Sequence, residues 1–377
     1  MKKQKPPDGR GWEGGGVKIL AIMGNPRKNG FTQRLADLFL AGLAGGGADV
    51  DVVDLCSLQI NHCRGCYSCW LVNPGVCVHK DDMGAVMERF QAAQIVVFLS
   101  PLNAYGPSSH VKVFLDRILA YTKEGFVPTP AGLTRNSVRT PERWPKKLAY
   151  VLVGAFRGEE NFAAAHQTFA LFAPAIDTVL CGGLIRPESY LLQFDLAKPK
   201  TIKIVETAFE QAGIELATTG EITDETAARA ATPLSADLPH FLRYANIYWE
   251  HARSLGPRAL DVAAVRERVL GDMRVLLSEM VRSVDAAATA RKRFAVQFDF
   301  TDTGAHFRVS VDHGAATLTE ASSEECDLRV TTSAASWARV FMRQINVRDA
   351  LSSGEIKLAG DKMLFTRLER YFPPPTV

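Results

Sequence analysis

The stretch VKILAIMGNPRKNGFTQRLADLFLAGL, residues 17 to 43, constrains the fold more than any other part of the chain. Val17 to Met23 is apolar but for Lys18, which reads as a buried strand, and Phe31 to Leu43 carries apolar residues at helical spacing. Between them the turn Gly24-Asn25-Pro26-Arg27-Lys28-Asn29-Gly30-Phe31-Thr32 gathers small, amide, hydroxyl and cationic groups where a helix begins. An unsatisfied helix N-terminus with its partial positive charge suits a phosphate. No Lys-Ser or Lys-Thr closes the turn, so the pattern for a magnesium-bound nucleoside triphosphate fails, and the GxGxxG dinucleotide fingerprint fails too. Two readings stand: the loop after the first strand of a flavodoxin-like sheet, which holds the monophosphate of FMN, or an ordinary strand-to-helix turn with a Gly for geometry and an Asn or Thr for capping.

The run GNPRKNGFT resembles the G-S-P-R-x-x-G-N-T loop of the NADPH-dependent FMN reductase and iron-sulfur flavoprotein family, with Asn25 where Ser is usual and Phe31 where Asn is usual. The resemblance implies an α/β fold with a flavodoxin-like, doubly wound, parallel five-stranded sheet, FMN as cofactor and NADPH as hydride donor. It places Asn25, Arg27, Asn29, Gly30, Thr32 and the backbone N–H of Phe31 around the phosphate. The segment SPLNAYGPSSHVKVFLDR is similar to the family's S-P-x-Y…K-x-F-x-D-R stretch, whose loop borders the flavin ring. That assigns Pro101, Leu102, Asn103, Ala104, Tyr105 and Gly106 to the cofactor. Asn103 replaces the usual aromatic, which leaves Tyr105 as candidate stacking partner and the backbone amides to meet the pyrimidine edge. Lys112, Asp116 and Arg117 match family positions as well; our reading of them is a salt bridge on a helix.

Of seven cysteines, four crowd between Cys63 and Cys77. A chain of 377 residues whose first sixteen, MKKQKPPDGRGWEGGG, lack an apolar core reads as cytoplasmic with a disordered leader, so a disulfide framework is disfavoured. Cys63, Cys66, Cys69 and Cys77 are spaced so that each thiolate can take one corner of a [4Fe-4S] cubane. Zinc and plain buried thiols are the alternatives. Resemblance to the compact motif of the iron-sulfur flavoproteins, with Asp81-Asp82-Met83 after the last cysteine, favours the cluster. His62 and His79 flank the loop and read as surface residues. A net charge of +3 is too small to argue for nucleic acid, and no apolar run is long enough to span a bilayer.

Length predicts two domains. Residues 17–217 form the flavodoxin-like domain, with further strands at 48–55, 94–100, 148–153 and 178–185, a helix at 108–121 and a long loop at 125–147 read as a lid or dimer arm. Arg157 is either a contact for nicotinamide phosphate or simply exposed. Residues 218–260 read as a helical connector and 262–291 as one long helix. Within 261–377, strict alternation from Phe294 to Phe300 and again from Phe307 to Val311 predicts an α+β layer. This region looks like a sterol-carrier-protein type domain, which implies an apolar tunnel for a lipid-like ligand lined by Phe341, Met342, Leu351, Met363, Leu364 and Leu368; the same residues serve equally as plain core. The sequence thus predicts an NAD(P)H-dependent FMN oxidoreductase, a homo-oligomer, passing electrons to a small organic acceptor or through the cluster to an electron carrier. Its rivals are a lipid-binding or interaction protein on a relic scaffold and a one-electron carrier.

Overall fold

A computed structural model describes residues 16–129, 131–193, 199–256, 260–341 and 344–373, so the expected leader lies outside the described residues except for Gly16. The chain divides into two compact units, one built on residues up to Leu192 and on Thr201–Ala236, the other on those from Asp237 onward.

The first unit holds five parallel strands, β1 (Lys18–Met23), β2 (Asp49–Asp54), β3 (Ile95–Asn103), β4 (Lys147–Val153) and β5 (Val179–Arg186), in the order 2-1-3-4-5. This is the flavodoxin-like doubly wound sheet, and its switch point lies between β1 and β3. The central strands are continuously apolar because helices cover both faces. On one side α2 (Met83–Ala92), α3 (Ser109–Arg117) and α4 (Ala163–Ala175) bring Met87, Phe90, Phe114 and Phe169 against Val96, Phe98 and Leu148. The other side carries α1 (Phe31–Gly45) and α5 (Pro199–Thr219), which meet through Gly42 and Gly213.

Three local expectations are corrected. The helix predicted to reach Tyr121 ends at Arg117 and continues as a 3-10 turn, Ile118–Tyr121. The supposed loop at 125–147 contains an antiparallel pair, Thr122–Pro128 with Thr134–Val138, whose residues, exposed or half-buried save Thr122 and Val138, gave no alternating signal. The long helix at 262–291 is broken into α7 (Val262–Leu270), α8 (Met273–Arg282) and the short Ala286–Thr289, because Asp272 and Asp285 turn their carboxylates onto the backbone and start new helices.

The second unit opens with α6 (Leu238–Ser254), whose face of Phe241, Tyr244 and Tyr248 is buried. Its sheet, β6 (Arg293–Phe300), β7 (His306–Asp312), β8 (Ala315–Thr319), β9 (Leu328–Thr332) and β10 (Ile356–Gly360), runs in the order 8-7-6-9-10, antiparallel except between β6 and β9. Helices α9 (Ala334–Phe341) and α10 (Lys362–Tyr371) pack Trp337, Leu364 and Leu368 onto Phe294, Val296, Phe298 and Phe300. Of the residues expected to line a tunnel, Leu364 and Leu368 are core, Phe341 and Leu351 pack against that core, Met363 is 59% exposed, and Met342 lies outside the described residues. Met363 faces solvent and lines no interior space, since α10 turns it away from the sheet.

Asp272 caps α8 through the Arg274 N–H at 2.9 Å and also accepts from His251 Nε2 at 2.8 Å and Arg274 Nη2 at 2.6 Å. Burial opposes its ionisation, but the Arg274 and His251 bonds prevail and hold the carboxyl below its usual range. A carboxyl depressed in the folded state contributes stability above the ordinary value of 3.8, lost as pH falls through the lower folded value. Asp272→Ala is therefore expected to cost about 1 to 3 kcal/mol at neutral pH and to flatten the acid limb of stability below about pH 4. Urea unfolding at pH 7 and pH 3 measures both; equal slopes for wild type and variant across that interval would contradict it.

Candidate functional site

The turn between β1 and α1 lies at the carboxyl edge of the sheet, where Gly24 N–H donates to Leu99 O of β3 at 2.8 Å. A Cβ on Gly24 would sit 2.4 Å from Val111 Cγ2 and 2.7 Å from Ser108 Oγ, so only glycine lets the β1 turn meet the start of α3. Beyond it Pro26, Arg27, Lys28 and Asn29 are exposed, and Gly30 begins α1 with no side-chain cap. Its first-turn N–H groups thus lack the Asn or Thr cap of an ordinary turn. Lys28 bonds Asn25 O at 3.1 Å and Asp54 at 2.8 Å, fixing the outer edge of the turn. A groove of about 500 Å³ runs beside Lys28, Asn29 and Gly30 and is bordered by Arg34 and Glu206.

Asn25 acts differently from the expectation. It is 2% exposed, and its Nδ2 donates to Arg27 O at 3.3 Å and Gln33 Oε1 at 2.8 Å, so its N–H groups lock the turn and are not presented to a phosphate. Its Oδ1 is buried without a partner. A buried acceptor left unbonded costs about 1–3 kcal/mol, and a donor such as a ribityl hydroxyl would satisfy it. An uncapped helix start, the exposed Arg27 and this orphaned acceptor fit the phosphate and polyol of FMN.

Pro101 to Gly106 follow on the neighbouring strand. β3 continues to Asn103 and pairs with Gly106–Pro107, making a hairpin whose two central residues, Ala104 (φ 46°) and Tyr105 (φ 63°), are left-handed. This is the twist a two-residue hairpin requires, achieved without glycine at the cost of strain. Tyr105 is thrust outward and stacks on Phe156 of the turn after β4, with ring centroids 5.5 Å apart and planes at 21°. Thus the β1, β3 and β4 turns share one edge.

Sequence reasoning did not single out Phe156 or Tyr190. The Tyr190 ring meets Phe31 edge-on at 6.1 Å. Burial pushes the Tyr190 hydroxyl up, while the charge and hydrogen bond of Arg27 pull it down. Both aromatics sit in turns after strands, where local sequence carries no periodicity to mark them. Arg157, considered for nicotinamide, bonds Ser235 Oγ at 3.0 Å and lies 3.4 Å from Glu188.

The cysteine segment leaves β2 and reverses through two left-handed residues, Gly65 (φ 63°) and Tyr67 (φ 54°). Cys63 and Cys66 are exposed, Cys77 is half-buried and Cys69 is buried. Hydrogen bonds from the Ser68 backbone and hydroxyl draw the Cys66 thiol down. Burial pushes Cys69 up, and the charges of Cys77, Cys66 and Cys63 add to it, so Cys69 lies within electrostatic reach of the other three. Among the described residues no three His, Cys, Asp or Glu side chains are drawn together as closely as one metal ion requires. The donor chemistry is that of a thiolate site, and a cubane distributes its ligands over separate irons. His79, expected at the surface, is half-buried, with Nε2 buried and unpartnered.

Residues 17–182 match the family described as NADPH-dependent FMN reductase, and residues 273–376 match one described as alkyl sulfatase C-terminal. The second match replaces the expected sterol-carrier-protein type, whose short and degenerate motif did not distinguish one α+β layer from another. An iron-sulfur flavoprotein of Archaeoglobus fulgidus is 33% identical over 122 residues, 32% of this chain and 53% of that protein. Another, from Methanocaldococcus jannaschii, is 29% identical over 101 residues, 27% of this chain and 51% of that protein. The chain thus spans about half the length of these relatives. Among solved structures, an NAD(P)H:quinone oxidoreductase from Methanothermobacter marburgensis aligns with a TM-score of 0.41 at 15% identity, over 52% of this chain and 94% of that one.

Proposed function

We propose that the chain is an NAD(P)H-dependent FMN oxidoreductase. The observation that carries this reading is the uncapped start of α1 beneath an exposed Arg27, with the orphaned Oδ1 of Asn25 beside it, at the switch point of a parallel sheet. The match of residues 17–182 to the FMN reductase family supports it. FMN, when bound, supplies the hydride chemistry; the protein's part is to hold and orient it. Arg27, Asn29, Gly30, Phe31 and Thr32 hold the phosphate through side chains and first-turn N–H groups, with Asn25 bracing the turn. Pro101 to Gly106 border the ring, and the Tyr105–Phe156 pair offers an aromatic wall for it or for a planar acceptor.

The purified protein is expected to be yellow and to bleach when NAD(P)H is added without oxygen. Colourless protein that takes up no FMN on reconstitution rejects the reading.

For the route out of the flavin we assign Cys63, Cys66, Cys69 and Cys77 to a [4Fe-4S] site, supported by their spacing, the electrostatic reach of Cys69 to the other three and the iron-sulfur flavoprotein relatives. Anaerobic iron and sulfide analysis is expected to find about four of each per chain. Stoichiometric zinc, or no metal, would end that assignment while leaving the flavin reading intact. All seven cysteines are free, which is in keeping with a reducing compartment such as the cytoplasm. No helix among the described residues is long and apolar enough to cross a membrane.

A further inference from the structure

We propose that Arg117 and Asp81, with Asn61, form a buried clasp that closes the cysteine loop at its base and positions its four thiols as one unit. The proposal rests on the reading of Cys63, Cys66, Cys69 and Cys77 as a single site.

Asn61 lies two residues before Cys63, and Asp81 four residues after Cys77, so the two bracket the whole segment. They are joined directly: Asp81 Oδ2 accepts from the Asn61 backbone N–H at 2.9 Å and from Asn61 Nδ2 at 3.0 Å. Arg117, at the end of α3, fastens both sides at once. Its Nη1 donates to Asn61 O at 2.7 Å and to Asp81 Oδ2 at 2.7 Å, and its Nη2 to Asp81 Oδ1 at 3.1 Å. The neighbouring pair repeats the closure, with Gln59 N–H on Asp82 Oδ2 at 2.7 Å and Asp82 N–H on Gln59 O at 3.1 Å.

The ion pair is almost fully buried, 2% exposed at Arg117 and 3% at Asp81. Taking two charges out of water is costly, and an apolar pair of equal size often stabilises a fold as well or better. A buried pair that bonds both ends of one loop does something an apolar pair cannot, because it fixes where the two ends stand. Away from the base the loop is pinned twice more, by Trp70 Nε1 on Leu119 O at 3.0 Å and by Arg139 Nη2 on Cys69 O at 3.4 Å. With its foot and its far end both held, the segment is positioned even though much of it is exposed. The salt bridge read on this helix is present between Lys112 and Asp116, but Arg117, grouped with them in sequence, turns instead to a carboxylate 36 residues away.

The test measures alkylation of each cysteine by peptide mass in the full chain, reduced and treated with chelator, for wild type, Asp81→Asn, Arg117→Lys and Asn61→Ala. Cys69 is the reporter and Cys181 the control, since they are 8% and 7% exposed and only the first lies in the loop. Asp81→Asn is expected to raise the Cys69 rate at least about tenfold with Cys181 unchanged, Asn61→Ala to act in the same direction more weakly, and Arg117→Lys, which keeps the charge but not the fork, to retain part of the wild-type protection. Unchanged Cys69 labelling in Asp81→Asn overturns the clasp. So does equal acceleration of Cys69 and Cys181, which would make the pair a general support of the fold. Iron uptake under anaerobic reconstitution is read separately. Wild type that takes up none removes the cluster reading, whereas labelling still decides the clasp.

Discussion

An Arg27→Ala, Thr32→Ala double variant is expected to emerge from gel filtration without flavin and to bind added FMN about a hundredfold to a thousandfold more weakly than wild type. The estimate rests on two lost contacts of different kinds. A hydrogen bond from a guanidinium to a charged partner contributes about 1.5–3 kcal/mol, and a neutral hydroxyl about 1 kcal/mol; together they span two to three decades of affinity. Arg27 is exposed at the tip of the turn and has Tyr190 as its neighbour, so its removal leaves no cavity in the sheet. Thr32 lies half-buried in the first turn of α1 and caps nothing in that helix. Folding should therefore survive, and far-UV circular dichroism serves as the check on that. Fluorescence titration of FMN gives the constant; a value within threefold of wild type would remove the turn from the cofactor site.

Asn25 sharpens the comparison. In the sequence it stands in a phosphate-loop motif and invites the same role as Arg27, but its N–H groups are spent on Arg27 O and Gln33 Oε1. The difference could not be read from residue type, because an amide serves a ligand or its own loop equally well.

The same division runs through the molecule. The parallel sheet was legible because strands covered on both faces must be continuously apolar, as Ile95 to Leu99 are. The second sheet was legible because Phe294, Val296, Phe298 and Phe300 alternate strictly above one core. The pair Thr122–Pro128 and Thr134–Val138 was not, since strands that bury only Thr122 and Val138 need no such pattern. The break at Gly271 did leave a signal in the Gly-Asp step before Met273, but helical periodicity on both sides masked it. Phe156, Tyr190 and the Arg117 clasp depend on partners distant in sequence, and one chain read by itself does not reveal who meets whom.

The close approach of α1 and α5 was equally hidden, and it carries the largest expected effect on stability. A Cβ placed on Gly213 would stand 2.2 Å from Phe39 O and 2.6 Å from Leu43 N, and one on Gly42 would stand 2.0 Å from Glu210 O. All of these neighbours are backbone, so no side-chain rotation relieves the clash and the two helices must move apart. Phe39 and Leu43, both fully buried beneath that contact, would then lose packing along with it. Gly213→Val is expected to destabilise the first unit by about 3 kcal/mol or more, against a small gain from replacing a mid-helix glycine. For a unit of this size that lowers the thermal midpoint by roughly 6–12 °C. Gly45→Ala, on the same α1 but with nothing within 4 Å of the added methyl, should act in the opposite direction by up to about 1 kcal/mol. Calorimetry on the two variants separates the causes: if Gly213→Val melts with the wild type, α1 and α5 are not in backbone contact and the placement of α5 over the sheet fails.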